Sequence, residues 1–258
     1  GGTPATETFS LEVTNTNDDP VVNNAIANQV ATEDSAFSFQ FAANSFADED
    51  GDTLTYSAQI SGGGSLPGWL SFDATSRTFS GTPGNDDVGS LTIRVTADDG
   101  KGGTPAAQTF DIVVTNTNDD PVLNNSIDDQ VAIEDSAFSF QFSANTFNDD
   151  DGDDLLYSAQ LAGGGALPTW LNFDALNRTF SGTPDNGDVG TISIEVSATD
   201  NNGGSAATDV FALTVSNTND GPVIVNPIAD QTANEDSPFS FQFDANTFYD
   251  ADGNPLTY

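Results

Sequence analysis

The sequence predicts an all-β chain of tandem Greek-key β-sandwich repeats, and three observations carry that prediction. The chain repeats itself every 101 residues without insertion or deletion, as Pro20, Pro121 and Pro222 and the pairs Trp69/Trp170 and Gly81/Gly182 show. Apolar residues alternate with period two, and no segment has a convincing helical period. Gly, Pro, Asn and Asp punctuate these runs at short, regular intervals.

The repeat sets the organisation, because self-similarity at a long fixed period is the mark of an array. NTNDDPV at Asn15–Val21 recurs at Asn116–Val122, and as NTNDGPV at Asn217–Val223. The chain therefore divides into the last strand of a preceding repeat (1–19), two full repeats (20–120 and 121–221) and the first strands of a following repeat (222–258). The third copy stops at Tyr258, before counterparts of Trp69 and Phe79, and neither end supplies them. The expectation is a window on a longer array.

Within a repeat, Phe37-Ser38-Phe39-Gln40-Phe41 places three Phe on one face of a strand. Leu54-Thr55-Tyr56 and Arg77-Thr78-Phe79 are the middle strands. Leu91-Thr92-Ile93-Arg94-Val95 and Phe110-Asp111-Ile112-Val113-Val114 close the repeat. Asp50-Gly51-Asp52, Gly62-Gly63-Gly64, Gly81-Thr82-Pro83 and Asp99-Gly100 turn the chain between them. About seven short strands in roughly 100 residues suit a two-sheet sandwich. Trp69, beside Leu66, Leu70 and Phe72, suits a core plug better than a sugar-stacking platform.

Composition narrows the partners. The chain has 258 residues, 19 Phe and 36% hydrophobic residues, enough for about two packed cores. It carries 40 acidic against 4 basic residues, a formal charge of −36. That balance excludes nucleic acid and anionic membrane, which require clustered Lys and Arg. No run is apolar enough to span a bilayer, so no direct membrane insertion is expected. Residues 1–19 lack the basic start and apolar core of a signal peptide. With no Cys, a cytosolic protein and an exported one without disulfides are equally compatible.

The acids occupy turns and linkers rather than strands: Asn15 to Asp19, Glu33-Asp34, Asp48 to Asp52, Asp86-Asp87 and Asp98-Asp99, then Asn116 to Asp120, Glu134-Asp135, Asp149 to Asp153, Asp188 and Asp200 one repeat later. Oxygen-only clusters suit calcium, which takes six to eight carboxylate, amide and carbonyl oxygens. Without His or Cys, zinc, copper and iron–sulfur chemistry have no ligands here. The D-x-D-G-D strings echo an EF-hand loop, but Gln59 stands where its last Glu belongs. Any site must be assembled from separate loops. Two like charges about 4 Å apart repel by roughly 4 kcal/mol at an effective dielectric of about 20. A few such contacts would cancel a stability of about 5–15 kcal/mol unless a cation lies among them. A merely solvated acidic surface would instead scatter its acids among Lys.

The segment LPGWLSFDATSRTFSGTP (Leu66–Pro83), followed by VGSLTIRVTADDG (Val88–Gly100), resembles dystroglycan-type cadherin-like repeats, frequent in large bacterial surface proteins. The resemblance covers essentially the whole chain and implies a cadherin/immunoglobulin-like sandwich with calcium at the junctions between repeats. It implies Glu33, Asn116, Asn118, Asp119, Asp149, Asp151 and Asp200 as ligands at the central junction. Asn15, Asn17, Asp18, Asp48, Asp50 and Asp99 would serve the first. Glu134, Asn217, Asn219, Asp220, Asp250 and Asp252 would serve the last. Asn replaces the family's first linker Asp at all three junctions, which lowers site charge. The family's D-x-E has no clear match, with Asp87 and Asp188 as candidates.

The functional expectation is a calcium-rigidified extracellular or cell-surface stalk or adhesion array. Its partners would be the neighbouring repeats and a homophilic, polysaccharide or cell-surface ligand. The alternative is an array of carbohydrate-binding modules in a secreted protein. Acid pairs can hydrolyse glycosides across a cleft. Here every acidic cluster recurs at a turn in each repeat, and no His or Cys completes a nucleophile–base set, so no enzyme is expected.

Overall fold

The computed structural model describes all residues, 1–258, and divides them into two units, 1–118 and 119–258. In the first unit the strands are β1 (Val21–Val22), β2 (Gln29–Thr32), β3 (Phe37–Gln40), β4 (Phe46–Ala47), β5 (Thr55–Ile60), β6 (Leu70–Asp73), β7 (Thr78–Gly81), β8 (Gly89–Asp98) and β9 (Ala106–Thr115). β2, β9, β8 and β5 form one sheet in that order, β3, β7 and β6 a second, and β1 pairs with β4. The β2–β9 pair is parallel and the others are antiparallel, so seven strands in two sheets make the expected Greek-key sandwich.

Period-two alternation fixes which face is buried. In β8, Ile93, Val95 and Ala97 are fully inaccessible, as is Ile112 in β9, while Arg94 and Val113 point out. From the facing sheet Phe79 fills the centre, 4.5 Å from Phe72 and 5.5 Å from Phe110 between ring centroids. Trp69 is half-buried and meets Phe37 edge-on at 6.1 Å, a core plug. Gly81 is required by this packing, because a Cβ there would stand 1.7 Å from the Trp69 carbonyl oxygen. β8 and β9 run ten residues each, longer than the alternation alone marked out. β7 starts one residue late, because Arg77 takes a left-handed turn conformation at φ 60°.

The second unit repeats this architecture. Its strands are β10 (Val122–Leu123), β11 (Gln130–Ile133), β12 (Phe138–Gln141), β13 (Phe147–Asn148), β14 (Leu156–Leu161), β15 (Leu171–Asp174), β16 (Thr179–Gly182), β17 (Gly190–Thr199) and β18 (Ala207–Ser216). The sheets are β11-β18-β17-β14 and β12-β16-β15, with β10 on β13. Two further strands, β19 (Val223–Ile224) and β20 (Phe248–Tyr249), pair antiparallel.

The two ends form fewer strands than a complete repeat does. Residues 1–19 form no strand, and Phe9, Leu11 and Val13 are 80% or more exposed. In the third copy only β19 and β20 form, and Phe239 and Phe241 of the expected Phe-rich strand are exposed. The reason is pairing. A strand like β9 needs β8 and β2 beside it, and one like β3 needs β7, and the chain holds no such partners for these segments.

Candidate metal centres

Each repeat buries one glutamate almost completely. In the first unit the turn after β2 puts Asp34 at φ 53°, and its N–H donates to the Pro83 carbonyl at 2.9 Å. The Glu33 N–H donates to the Thr115 carbonyl at 3.0 Å. Pro83 is itself fully buried, so the S-G-T-P string that ends β7 is the wall that holds this turn. Glu33 is thereby swung inward to 1% exposure. Its Oε2 accepts the Thr117 N–H at 3.1 Å, while Oε1 meets no hydrogen-bond donor. The second unit repeats every contact: Asp135 at φ 57° donates to Pro184, and Glu134, at 0% exposure, accepts the Thr218 N–H at 3.1 Å with Oε1 unpartnered.

The D-x-D-G-D turn supplies the other carboxylates. Asp48 Oδ1 accepts the Asp50 and Asp52 N–H groups at 3.0 and 3.1 Å, and Gly51 makes the bend at φ 76°. This leaves Asp48 Oδ2 sealed from solvent without a donor, and Asp149 Oδ2 and Asp151 Oδ1 are in the same condition. Oxygens of Asp48, Asp50 and Asp52 lie within 4.8 Å of one another, as do those of Asp149, Asp151 and Asp153.

The linkers close onto these turns. At the first, Asn15 Nδ2 donates to Asp50 Oδ1 at 2.6 Å, the Asp18 N–H to Asp50 Oδ2 at 2.7 Å, and Asn17 Nδ2 to Asp99 Oδ2 at 3.0 Å. The Asp18 N–H, with the Asn15 amide, holds the Asp50 carboxyl below the usual carboxylate range. The Asn17 amide and the Lys101 N–H do the same for Asp99, which is 8% exposed. At the last, Asn217 Nδ2 donates to Asp252 Oδ1 at 2.8 Å and the Asp220 N–H to Asp252 Oδ2 at 2.5 Å. Asn219 Oδ1 accepts from Asn254, and Asp250, 7% exposed, caps its own turn through the Asn254 N–H at 3.1 Å.

Glu134, Asp135 and Asp220 come together at this last linker, their oxygens within 4.8 Å of one another. Unit charges at that spacing repel by about 3.5 kcal/mol at an effective dielectric of about 20. Asp250 and Asp252 are outside this triad, although the Asp220 N–H ties Asp252 to it. Of the central set, Asn116 and Asn118 are exposed beyond β9 in the first unit. In the second unit the Asp119 N–H donates to Asp151 Oδ2 at 2.7 Å, and Asp200 is 6% exposed.

Sequence reasoning missed Asp52, Asp153 and Asp135 as members of these groups. The first two stood in the D-x-D-G-D strings, and Asp135 adjoined Glu134. Asp87 and Asp188, the candidates for the D-x-E match, have a local structural role in the chain. Asp87 Oδ2 accepts the Gly84 N–H at 3.0 Å and Asp188 Oδ2 the Asp185 N–H at 3.0 Å, so these carboxylates cap the 3₁₀ turns Asn85–Asp87 and Asn186–Asp188. No helix is long and apolar enough to cross a membrane.

The family model described as Putative Ig domain matches residues 19–115 and 120–216. Axial budding pattern protein 2 of Saccharomyces cerevisiae is 26% identical over 60% of this chain and 21% of its own, so the chain spans about a fifth of that relative's length. Among solved structures, the EC1-2 fragment of human protocadherin-24 is 14% identical, with 78% of this chain and 100% of that chain covered and a TM-score of 0.49. An endo-fucoidan hydrolase of glycoside hydrolase family 107 is 24% identical over 78% of this chain and 29% of its own, with a TM-score of 0.35.

Proposed function

The chain belongs to the Putative Ig domain family, and from that premise we propose that it is part of a calcium-stiffened stalk or adhesion array in an extracellular or cell-surface protein. The observation that carries this reading is Glu134. It is fully buried, its Oε1 has no donor, and its carboxylate lies with those of Asp135 and Asp220 inside 4.8 Å. A buried carboxylate is costly unless a counter-charge compensates it. The oxygen-only donor set fits calcium, a hard cation that accepts irregular shells of carboxylates and amides.

Glu134 belongs to the second repeat, Asp220 to the linker, and Asp252 to the third copy. A cation among them would tie two repeats through the linker and stiffen it. In that scheme Asn217, Asn219 and Asp250 complete the last site. By repeat equivalence Glu33, Asn116, Asn118, Asp119, Asp149, Asp151 and Asp200 serve the central linker. Asn15, Asn17, Asp18, Asp48, Asp50 and Asp99 serve the first. The kinship to cadherin-like repeats read from Leu66–Pro83 belongs to the same proposal, as do a non-enzymatic role and homophilic or polysaccharide partners. The carbohydrate-module reading needs an exposed aromatic platform, and the half-buried Trp69 and Trp170 give it no support.

Calorimetric titration of the 258-residue chain with calcium tests the proposal, combined with limited proteolysis and small-angle scattering. Binding heat, and chelator-induced cleavage near Asn116 to Asp120 and Asn217 to Asp220, are the expected results. A chain that takes up no calcium, with the same cleavage and scattering in chelator, overturns it.

A further inference from the structure

The first two D-x-D-G-D turns differ in one side chain that faces them. In the first, the Lys101 Nζ lies 3.2 Å from Asp52 Oδ1, on the group formed by Asp48, Asp50 and Asp52. One repeat later Asn202 takes its place, and its Nδ2 donates to Asp153 Oδ2 at 2.6 Å. The surrounding frame is the same. The Lys101 N–H donates to Asp99 Oδ1 and the Asn202 N–H to Asp200 Oδ1, both at 2.9 Å. The exchange therefore alters charge and leaves geometry in place. Lysine and arginine together number only 4 in the chain, which makes an ammonium at an acidic turn a conspicuous placement.

Both turns hold a carboxylate oxygen that neither water nor a donor reaches, Asp48 Oδ2 and Asp149 Oδ2.

We propose that Lys101 is a tethered competitor for the divalent cation at the first acidic turn, so that this turn fills at a higher cation concentration than it would with the Asn of the next repeat. The inference rests on the calcium reading above and adds regulation to it: the linkers of one array stiffen at different calcium levels. A divalent ion entering the first turn meets a fixed positive charge beside it and must displace or tolerate it. The Lys101–Asp52 pair is half-exposed, so water and salt moderate the effect. The expected penalty is about three- to tenfold in affinity, far from abolition.

The test is a calcium chloride titration of the isotope-labelled 258-residue chain, read at the amide signals of Gly51 and Gly152, each in its own acidic turn. Each variant is compared with the same glycine in the parent chain. Lys101→Asn is expected to lower the Gly51 midpoint about three- to tenfold and to leave Gly152 unmoved. Asn202→Lys is expected to raise the Gly152 midpoint by a similar factor. Both shifts should shrink between about 0.05 M and about 1 M sodium chloride, where the screening length falls to about 3 Å. Midpoints that ignore both substitutions overturn the role of Lys101 while leaving calcium binding intact. Shifts of the same size at both salt concentrations also overturn it, because they would reflect altered structure. If neither glycine responds to calcium in any variant, the calcium reading itself falls, and this inference with it.

Discussion

Phe180 and Glu134 lie in the same repeat and are equally sealed from water, each at 0% exposure. Phe180 packs 4.6 Å from Phe173 and 5.6 Å from Phe211, and its burial removes apolar surface from water, worth about 1.5–3 kcal/mol. Glu134 is buried with one oxygen unpartnered and two more carboxylates within 4.8 Å. The same degree of burial thus has opposite energetic sign in the two regions. The interior of a repeat is self-sufficient, whereas its end is a stored electrostatic cost that a cation can relieve.

The largest test of that contrast is Phe180→Ala. It should cost about 3–5 kcal/mol of unfolding free energy for the second repeat, by lost transfer energy and a residual cavity. The loss should be the same in calcium and in chelator, as followed by denaturant unfolding. A loss that depends on calcium would mean that the core and the repeat end are one coupled unit.

Glu134→Gln should act with the reverse sign. The neutral amide removes repulsion with Asp135 and Asp220 and offers them two N–H donors, so stability in chelator should rise by about 1–3 kcal/mol. Calcium should then add less stability than it adds to the parent chain. A drop in chelator would show that Glu134 is already compensated, and would break the contrast.

The interior was legible in the sequence because it is written in local alternation. Phe37-x-Phe39-x-Phe41 and Ile93-x-Val95-x-Ala97 state which side chains point inward, and the exact repeat states it twice. Acidic turns were legible for the same reason, since Asp48, Asp50 and Gly51 are neighbours in the chain. What was not legible depends on contacts distant in sequence or on backbone conformation. Asp135 joins the triad because its left-handed φ and its bond to Pro184 turn the chain there. The capping bonds of Asp87 and Asp188 to the residues three before them depend on the 3₁₀ turns, which no pattern in the sequence marks. The repeat register placed a last strand in residues 1–19, but a strand forms only beside a neighbouring ladder, and Phe9, Leu11 and Val13 stay exposed.

The smallest test stays within the repeat ends, setting a satisfied carboxylate against the unsatisfied Glu134. Both oxygens of Asp99 have donors, Asn17 Nδ2 at 3.0 Å and the Lys101 N–H at 2.9 Å, and these hold its pKa below the ordinary value. A carboxyl that is more acidic folded than unfolded contributes stability above the unfolded pKa of about 4, and the contribution is lost as pH falls through the folded pKa. Asn17→Ala removes the first-named donor. In chelator, the gap in melting temperature between parent and variant should therefore stay level from pH 7 down to about 4 and close below that. Thermal unfolding followed by circular dichroism measures it. A gap that persists well below pH 3 would mean that Asn17 acts by packing rather than through the Asp99 charge. In that case the linker would be held by shape at the very point where the acidic turns argue that charge decides.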